Sequence, residues 1–126
     1  MKFVNPVALA RGHGSAKSGV EHWWAQRITS VALAPLTLWV IYALATLGGA
    51  SYDEVIAWMS NPFNGALLIA WVVTMLHHAQ LGLQVVIEDY IHVAWQEYTL
   101  LIGVKLLAAL GAIVATVSVL SVVFGG

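Results

Sequence analysis

Cysteine is absent from this sequence, so the chain makes no disulfide and binds no iron–sulfur cluster or zinc through thiolates of its own. Any such centre would have to sit in another subunit. Charge is scarce as well: five Lys or Arg and six Asp or Glu give a formal net charge of -1. Five scattered cations form no basic stripe that could track a phosphate backbone, which argues against nucleic acid as a partner. The polar majority of a soluble domain is also missing, since 60% of residues are hydrophobic, 9% are charged and the mean hydropathy is +0.85. Such a composition belongs in lipid. At 126 residues the chain is too short for a multidomain enzyme and has room for three or at most four bilayer crossings of roughly 20 residues. The first twenty residues carry Lys2, Arg11 and Lys17 among Gly and Ser, with no apolar run. They do not read as a secretory signal. The carboxylate-free start faintly suggests a mitochondrial presequence, but a bacterial inner (cytoplasmic) membrane is the preferred location.

Long apolar runs are what the chain does have. Ile28 to Ala50 carries no charge, Asn64 to Ile87 holds only His77 and His78 as titratable groups, and Tyr98 to Phe124 is broken only by Lys105. Each run matches a hydrocarbon core of about 30 Å at 1.5 Å rise per residue, and continuous apolarity excludes the alternation of a β-barrel. The fold class expected is therefore all-α: one integral membrane domain over residues 1–126, with an extramembrane segment over about 1–24 and spans over about 25–49, 64–87 and 98–123.

Orientation follows from the cations. Lys2, Arg11, Lys17 and Arg27 precede the first span, whereas the connection from Ser51 to Phe63 has none and carries Asp53 and Glu54. The N-terminus is expected in the cytoplasm, the Glu88 to Glu97 loop returns to that side, and the C-terminus ends outside. Lys105 is near enough to the inner boundary for its stem to reach the headgroups. Tyr52, Trp58, Trp95 and Tyr98 are expected as interfacial anchors, Asn61, Pro62 and Asn64 as the entry to the second span, and Pro35 as a bend in the first. The Gly-rich N-terminal segment reads as a flexible or partner-bound tail.

The segment from Leu76 to His92, L-H-H-A-Q-L-G-L-Q-V-V-I-E-D-Y-I-H, holds the chemistry. Imidazole deep in lipid is costly without a partner, and ionisable residues within spans mark functional paths. His77 and His78 point about 100° apart, so at most one is an axial ligand of a given metal. Trp71, His78, Gly82, Val85 and Asp89 fall on one helical stripe, with Gly82 leaving clearance for a flat macrocycle beside His78. His77 and Glu88 share that spacing on another face, so periodicity does not choose between the histidines. The plainer alternative is a histidine hydrogen-bonded to a neighbouring helix, with Gly82 serving close packing. Tyr90 emerges at the inner headgroups, where its hydroxyl can donate to a quinone carbonyl while Asp89 orients it or relays protons. Their alternatives are an interfacial anchor and a solvated carboxylate. Arg27, in W-W-A-Q-R-I-T-S, suits a carboxylate such as a haem propionate, and equally a lipid phosphate. His13, His22 and His92 receive no role.

At these residues the sequence resembles the smaller, D-type hydrophobic anchor of succinate dehydrogenase, respiratory complex II. The likeness spans nearly the whole chain: the basic N-terminal tail, Arg-x-Thr-Ser at Arg27 to Ser30, the order of three spans, and His-x10-Asp-Tyr from His78 to Tyr90. The other anchor type shares an R-x-[ST] opening, and the Asp-Tyr exit favours the D type. The resemblance implies a heteromeric helix bundle in which His78 is one axial ligand of a b-type haem, the second coming from the other anchor subunit, of cytochrome b556 type. It implies that Arg27 reaches a propionate and that Tyr90 and Asp89 help form the ubiquinone site. Partners would be that second anchor, an iron–sulfur subunit, a flavoprotein subunit and membrane lipid. The chain would have no catalytic activity alone. A fumarate reductase anchor runs the same parts in reverse, and a haem-free structural or transporter-accessory subunit is the rival of another class.

Overall fold

The computed structural model describes residues 6–7 and 16–125, the side chains of residues 16–18 excepted. From residue 16 onward the chain forms helices α1 (Ala16–Thr46), α2 (Tyr52–Ser60), α3 (Pro62–Tyr90) and α4 (Ala94–Gly125), and there is no strand among the described residues. Three of them, over Gly19–Thr46, Pro62–Tyr90 and Ala94–Gly125, are long and apolar enough to cross a membrane. With 31, 29 and 32 residues, α1, α3 and α4 run about 43–48 Å at 1.5 Å per residue, enough to span the hydrocarbon core and reach the headgroups on both sides.

The helices run past the expected span ends at most of their termini, although α1 stops at Thr46, short of the expected end at about 49. α1 begins at Ala16, so residues 16–24 continue the helix instead of forming a tail. Lys2, Arg11 and His13, and the side chain of Lys17, lie outside the described residues. The loop expected from Glu88 to Glu97 contracts to residues 91–93. The connection from Ser51 to Phe63 contains helix α2, which the span pattern did not register. Its start is a capping box: Ser51 Oγ accepts from the Glu54 backbone N–H, and a Glu54 carboxylate oxygen accepts from the Ser51 N–H at 2.7 Å. Two orphan donors of the first turn are thereby satisfied. As expected, Asn61 and Pro62 open α3, with the Asn61 side chain accepting from the Phe63 N–H at 2.9 Å and Pro62 occupying the first turn, where its missing N–H costs nothing. α1 runs unbroken through Pro35 and ends in a turn containing Gly49 at φ +87°, a backbone conformation costly for side chains other than glycine.

α3 is the central helix, packed against both α1 and α4, while α2 closes the end of the α3–α4 pair near Pro62. Trp58 of α2, expected as an interfacial anchor, is half-buried and stacks on Trp39 of α1 with ring centroids 5.6 Å apart. Gly65 lets α3 and α4 approach closely, because a Cβ there would stand 2.6 Å from Val123 Cγ2. Few side chains are covered by the chain itself: among the described residues Val40, Ala43, Leu81, Ile87 and Val119 are the buried apolar ones, and Thr29 and Gln80 the buried polar ones. Most of each span's surface is left for lipid or other subunits.

Candidate functional site

Antiparallel packing of α1 and α3 sets a register that three polar contacts report. Trp71 Nε1–H donates to Thr37 Oγ1 at 3.1 Å, Thr29 Oγ1 meets His78 Nδ1 at 2.9 Å, and Gly82 faces Gln26, whose Nε2 would lie 3.9 Å from a Cβ added there. Residues on α1 fall by about eleven as those on α3 rise by eleven, as equal helical rise requires. Trp71, His78 and Gly82, grouped by their spacing, therefore all face α1. Val85 and Asp89 of the same stripe are exposed.

His78 is half-buried in this seam. Its ring reaches Thr29, whose Oγ1 also lies 2.7 Å from the Ala25 carbonyl and 3.0 Å from that of Gln26. Among the described residues the His78 Nε2 has no hydrogen-bond partner. His77 is exposed and points away from this seam, lining a cleft of about 240 Å³ between α3 and α4 with Gln80 and Lys105. The two adjacent histidines, about 100° apart around the central helix, thus face different neighbours, a distinction that depends on which helix packs where.

One and two turns from Thr29 toward the start of α1, two buried polar atoms have no partner among the described residues, Gln26 Oε1 and His22 Nε2. His22, Gln26 and Thr29 recur at four and three residues and share one face of α1. Sequence reasoning assigned His22 nothing and passed over Gln26, although their spacing from Thr29 was the available signal. It also missed a ladder along α3, in which Gln80 Nε2 donates to Gln84 Oε1 at 3.2 Å and Gln84 Nε2 to Glu88 at 2.8 Å.

Arg27 is not brought to His78 within this chain. Two residues from Thr29 it sits roughly 160° around the helix, exposed, with its guanidinium 4.8 Å from the Trp23 ring centroid. Asp89 is exposed and Tyr90, the last residue of α3, is 77% exposed. The phenol is presented to whatever lies at that membrane face. Among the described residues no three His, Asp or Glu side chains gather into a group that could hold a metal ion, so a metal ligated here would draw on few side chains of this chain.

Comparison with known proteins agrees with the resemblance carried by Arg27 to Ser30 and His78 to Tyr90. The chain is 43% identical over 119 residues to the succinate dehydrogenase hydrophobic membrane anchor subunit of Rickettsia bellii, covering 93% of this chain and 94% of that one. Identity to the corresponding subunit of Paracoccus denitrificans is 31% over 90 residues, 71% of this chain and 70% of the relative. The succinate dehydrogenase membrane anchor subunit of Reclinomonas americana is 34% identical over 79 residues, 60% of this chain and 66% of its own. A family model described as succinate dehydrogenase/fumarate reductase transmembrane subunit matches residues 1–120. With three apolar spans and this match over nearly its full length, the chain belongs to the family of succinate dehydrogenase/fumarate reductase transmembrane subunits.

Proposed function

We propose that this chain is a membrane anchor of a succinate:quinone oxidoreductase, in which His78 is an axial ligand of a b-type haem and Tyr90 with Asp89 helps form the site where ubiquinone is reduced. The observation that carries the reading is His78 itself: an imidazole within a membrane span, held to α1 at Nδ1 and, among the described residues, without a hydrogen-bond partner at Nε2. A ligating histidine is arranged in this way, with one nitrogen for the metal and the other anchored. The seam fits a bulky polar-edged group, since Gly82 brings no side chain to it and, along its α1 face, Gln26 Oε1 and His22 Nε2 are buried without partners among the described residues. Bound there, haem would supply a one-electron carrier beside the quinone.

The residues of this chain then divide the work. His78 holds and orients. Arg27, which pairs with no carboxylate among the described residues, offers its charge to a propionate. The Tyr90 hydroxyl donates to a quinone carbonyl; Asp89 beside it orients the phenol or passes on a proton. Reduction of the quinone to quinol takes two electrons, delivered from succinate through the flavoprotein and iron–sulfur subunits, and two protons taken up at the inner face. The other anchor subunit, of cytochrome b556 type, would give the second axial ligand. The N-terminus would face the cytoplasm of a bacterial inner membrane. Relatives named as succinate dehydrogenase subunits favour succinate oxidation over fumarate reduction.

The quinone assignment is tested on the purified complex with Tyr90→Phe and Asp89→Asn. Each should slow succinate-to-quinone electron transfer, by about tenfold or more if the lost hydrogen bond is made in the transition state, while succinate oxidation by a soluble artificial acceptor stays at its wild-type rate. Unchanged quinone kinetics in both variants would remove these residues from the site. Purified material without b-type absorbance and without a copurifying flavoprotein would instead support the haem-free structural alternative.

A further inference from the structure

We infer that Thr29 is the positioning residue of His78, fixing its tautomer so that Nδ1 carries the proton and Nε2 keeps the lone pair; this deepens, and rests on, the reading of His78 as an iron ligand. The argument turns on a single hydrogen. Thr29 Oγ1 has one proton to give and three neighbours within reach: the Ala25 carbonyl at 2.7 Å, the Gln26 carbonyl at 3.0 Å and His78 Nδ1 at 2.9 Å. Both carbonyls can only accept, whereas an imidazole nitrogen can donate or accept. Were the hydroxyl proton given to Nδ1, two oxygens would face each other at 2.7 Å with no hydrogen between them, a repulsive contact. The proton therefore goes to the α1 carbonyls, and Nδ1–H must donate to the lone pair left on Oγ1.

A neutral imidazole has one N–H, so placing it on Nδ1 leaves Nε2 unprotonated, the form that binds a metal. The same bond fixes the ring's rotation, because Thr29 is buried and its own hydroxyl is tied to the helix that carries it. A partner that pins one nitrogen both orients a histidine ligand and raises its basicity. His77 has no such device: among the described residues it makes no hydrogen bond, and neither of its tautomers is selected.

The assembled complex, purified in detergent, supports a test that does not rely on turnover. Haem retention and the paramagnetic resonance signal of the oxidised haem are measured for Thr29→Val, Thr29→Ala, Thr29→Ser, Thr37→Val and His78→Ala. Thr37→Val removes the other side-chain hydrogen bond between α1 and α3 and so reports any loss due to helix packing alone. Thr29→Val and Thr29→Ala should weaken haem retention by about 10- to 100-fold and shift the resonance signal, Thr29→Ser should restore both, and Thr37→Val should leave both as in wild type. Wild-type retention and signal in both Thr29→Val and Thr29→Ala, alongside loss of haem in His78→Ala, would overturn this inference and leave the ligand assignment intact. An unaltered signal in His78→Ala would overturn the assignment beneath it.

Discussion

At the scale of single residues, what a side chain can do here is decided by the helix it faces. His77 and His78 are neighbours in sequence, yet one lines the α3–α4 cleft and the other meets Thr29 on α1. Their spacing to Asp89 and Glu88 could not separate them, because the choice depends on which helix packs against which face. Thr29 stood in the Arg27 to Ser30 motif as part of a pattern; its contact with His78 needed the register of two antiparallel helices. Arg27, exposed over Trp23, should show a requirement for its planar fork if it grips a propionate. Arg27→Lys would then fall between wild type and Arg27→Gln in haem retention, whereas equal retention in all three would assign it to lipid or topology. Glu54 gives a prediction about pH. The Ser51 backbone N–H and then its hydroxyl donate to the Glu54 carboxylate and hold its pKa below the ordinary glutamate value of 4.5. A lowered folded pKa means that the stabilisation is fully present above the unfolded value and is lost as pH falls through the folded one. Protection of the amides in the first turn of α2, taken relative to their intrinsic exchange rate at each pH, should thus be steady from neutral pH down to about pH 5 and fall in more acidic solution. Ser51→Ala should move the Glu54 titration up toward 4.5, and an unmoved titration would deny the capping contact.

Among the elements, the three spans were legible because a run of twenty apolar residues has few other uses, and Asn61 with Pro62 marked the start of α3. Helix α2 was not read, since nine residues are too few to stand out by apolarity; its signal was the Ser51-x-x-Glu54 capping box. The helices run past the expected span ends, as at Ala16, Tyr90 and Ala94, because composition reports the apolar core while the helix continues beyond it. Packing between spans rests on small residues and few hydrogen bonds. Gly65→Ala would push its Cβ against the stiff, β-branched Val123 and should destabilise the α3–α4 pair by about 1–3 kcal/mol. Gly111→Ala meets only the flexible end of Leu76, at 3.3 Å, and should be milder. Thermal unfolding of the purified complex compares the two, and equal losses would contradict the close approach at Gly65. Trp71→Phe deletes the bond to Thr37 and should cost only about 0.6 kcal/mol for that bond.

The whole molecule is a row of three spans with α3 in the middle and much of its surface free for lipid and other subunits. Because the chain lacks cysteine, single cysteines introduced at Ser51, Val93 and Gly125 can report its orientation. A membrane-impermeant thiol reagent added outside should label positions 51 and 125 and spare 93; the reverse pattern would invert the topology read from the cations. Family membership makes the chain a membrane anchor subunit; the seam between α1 and α3 and the exposed Tyr90 support the proposal that it brings iron and quinone together in the membrane. The most direct measurement is the amount of b-type haem bound per flavin in the assembled complex, determined in parallel for wild type, His78→Ala and His77→Ala. The account predicts that His78→Ala loses most of its haem while the complex still assembles and His77→Ala keeps the wild-type amount; full haem in His78→Ala would contradict it.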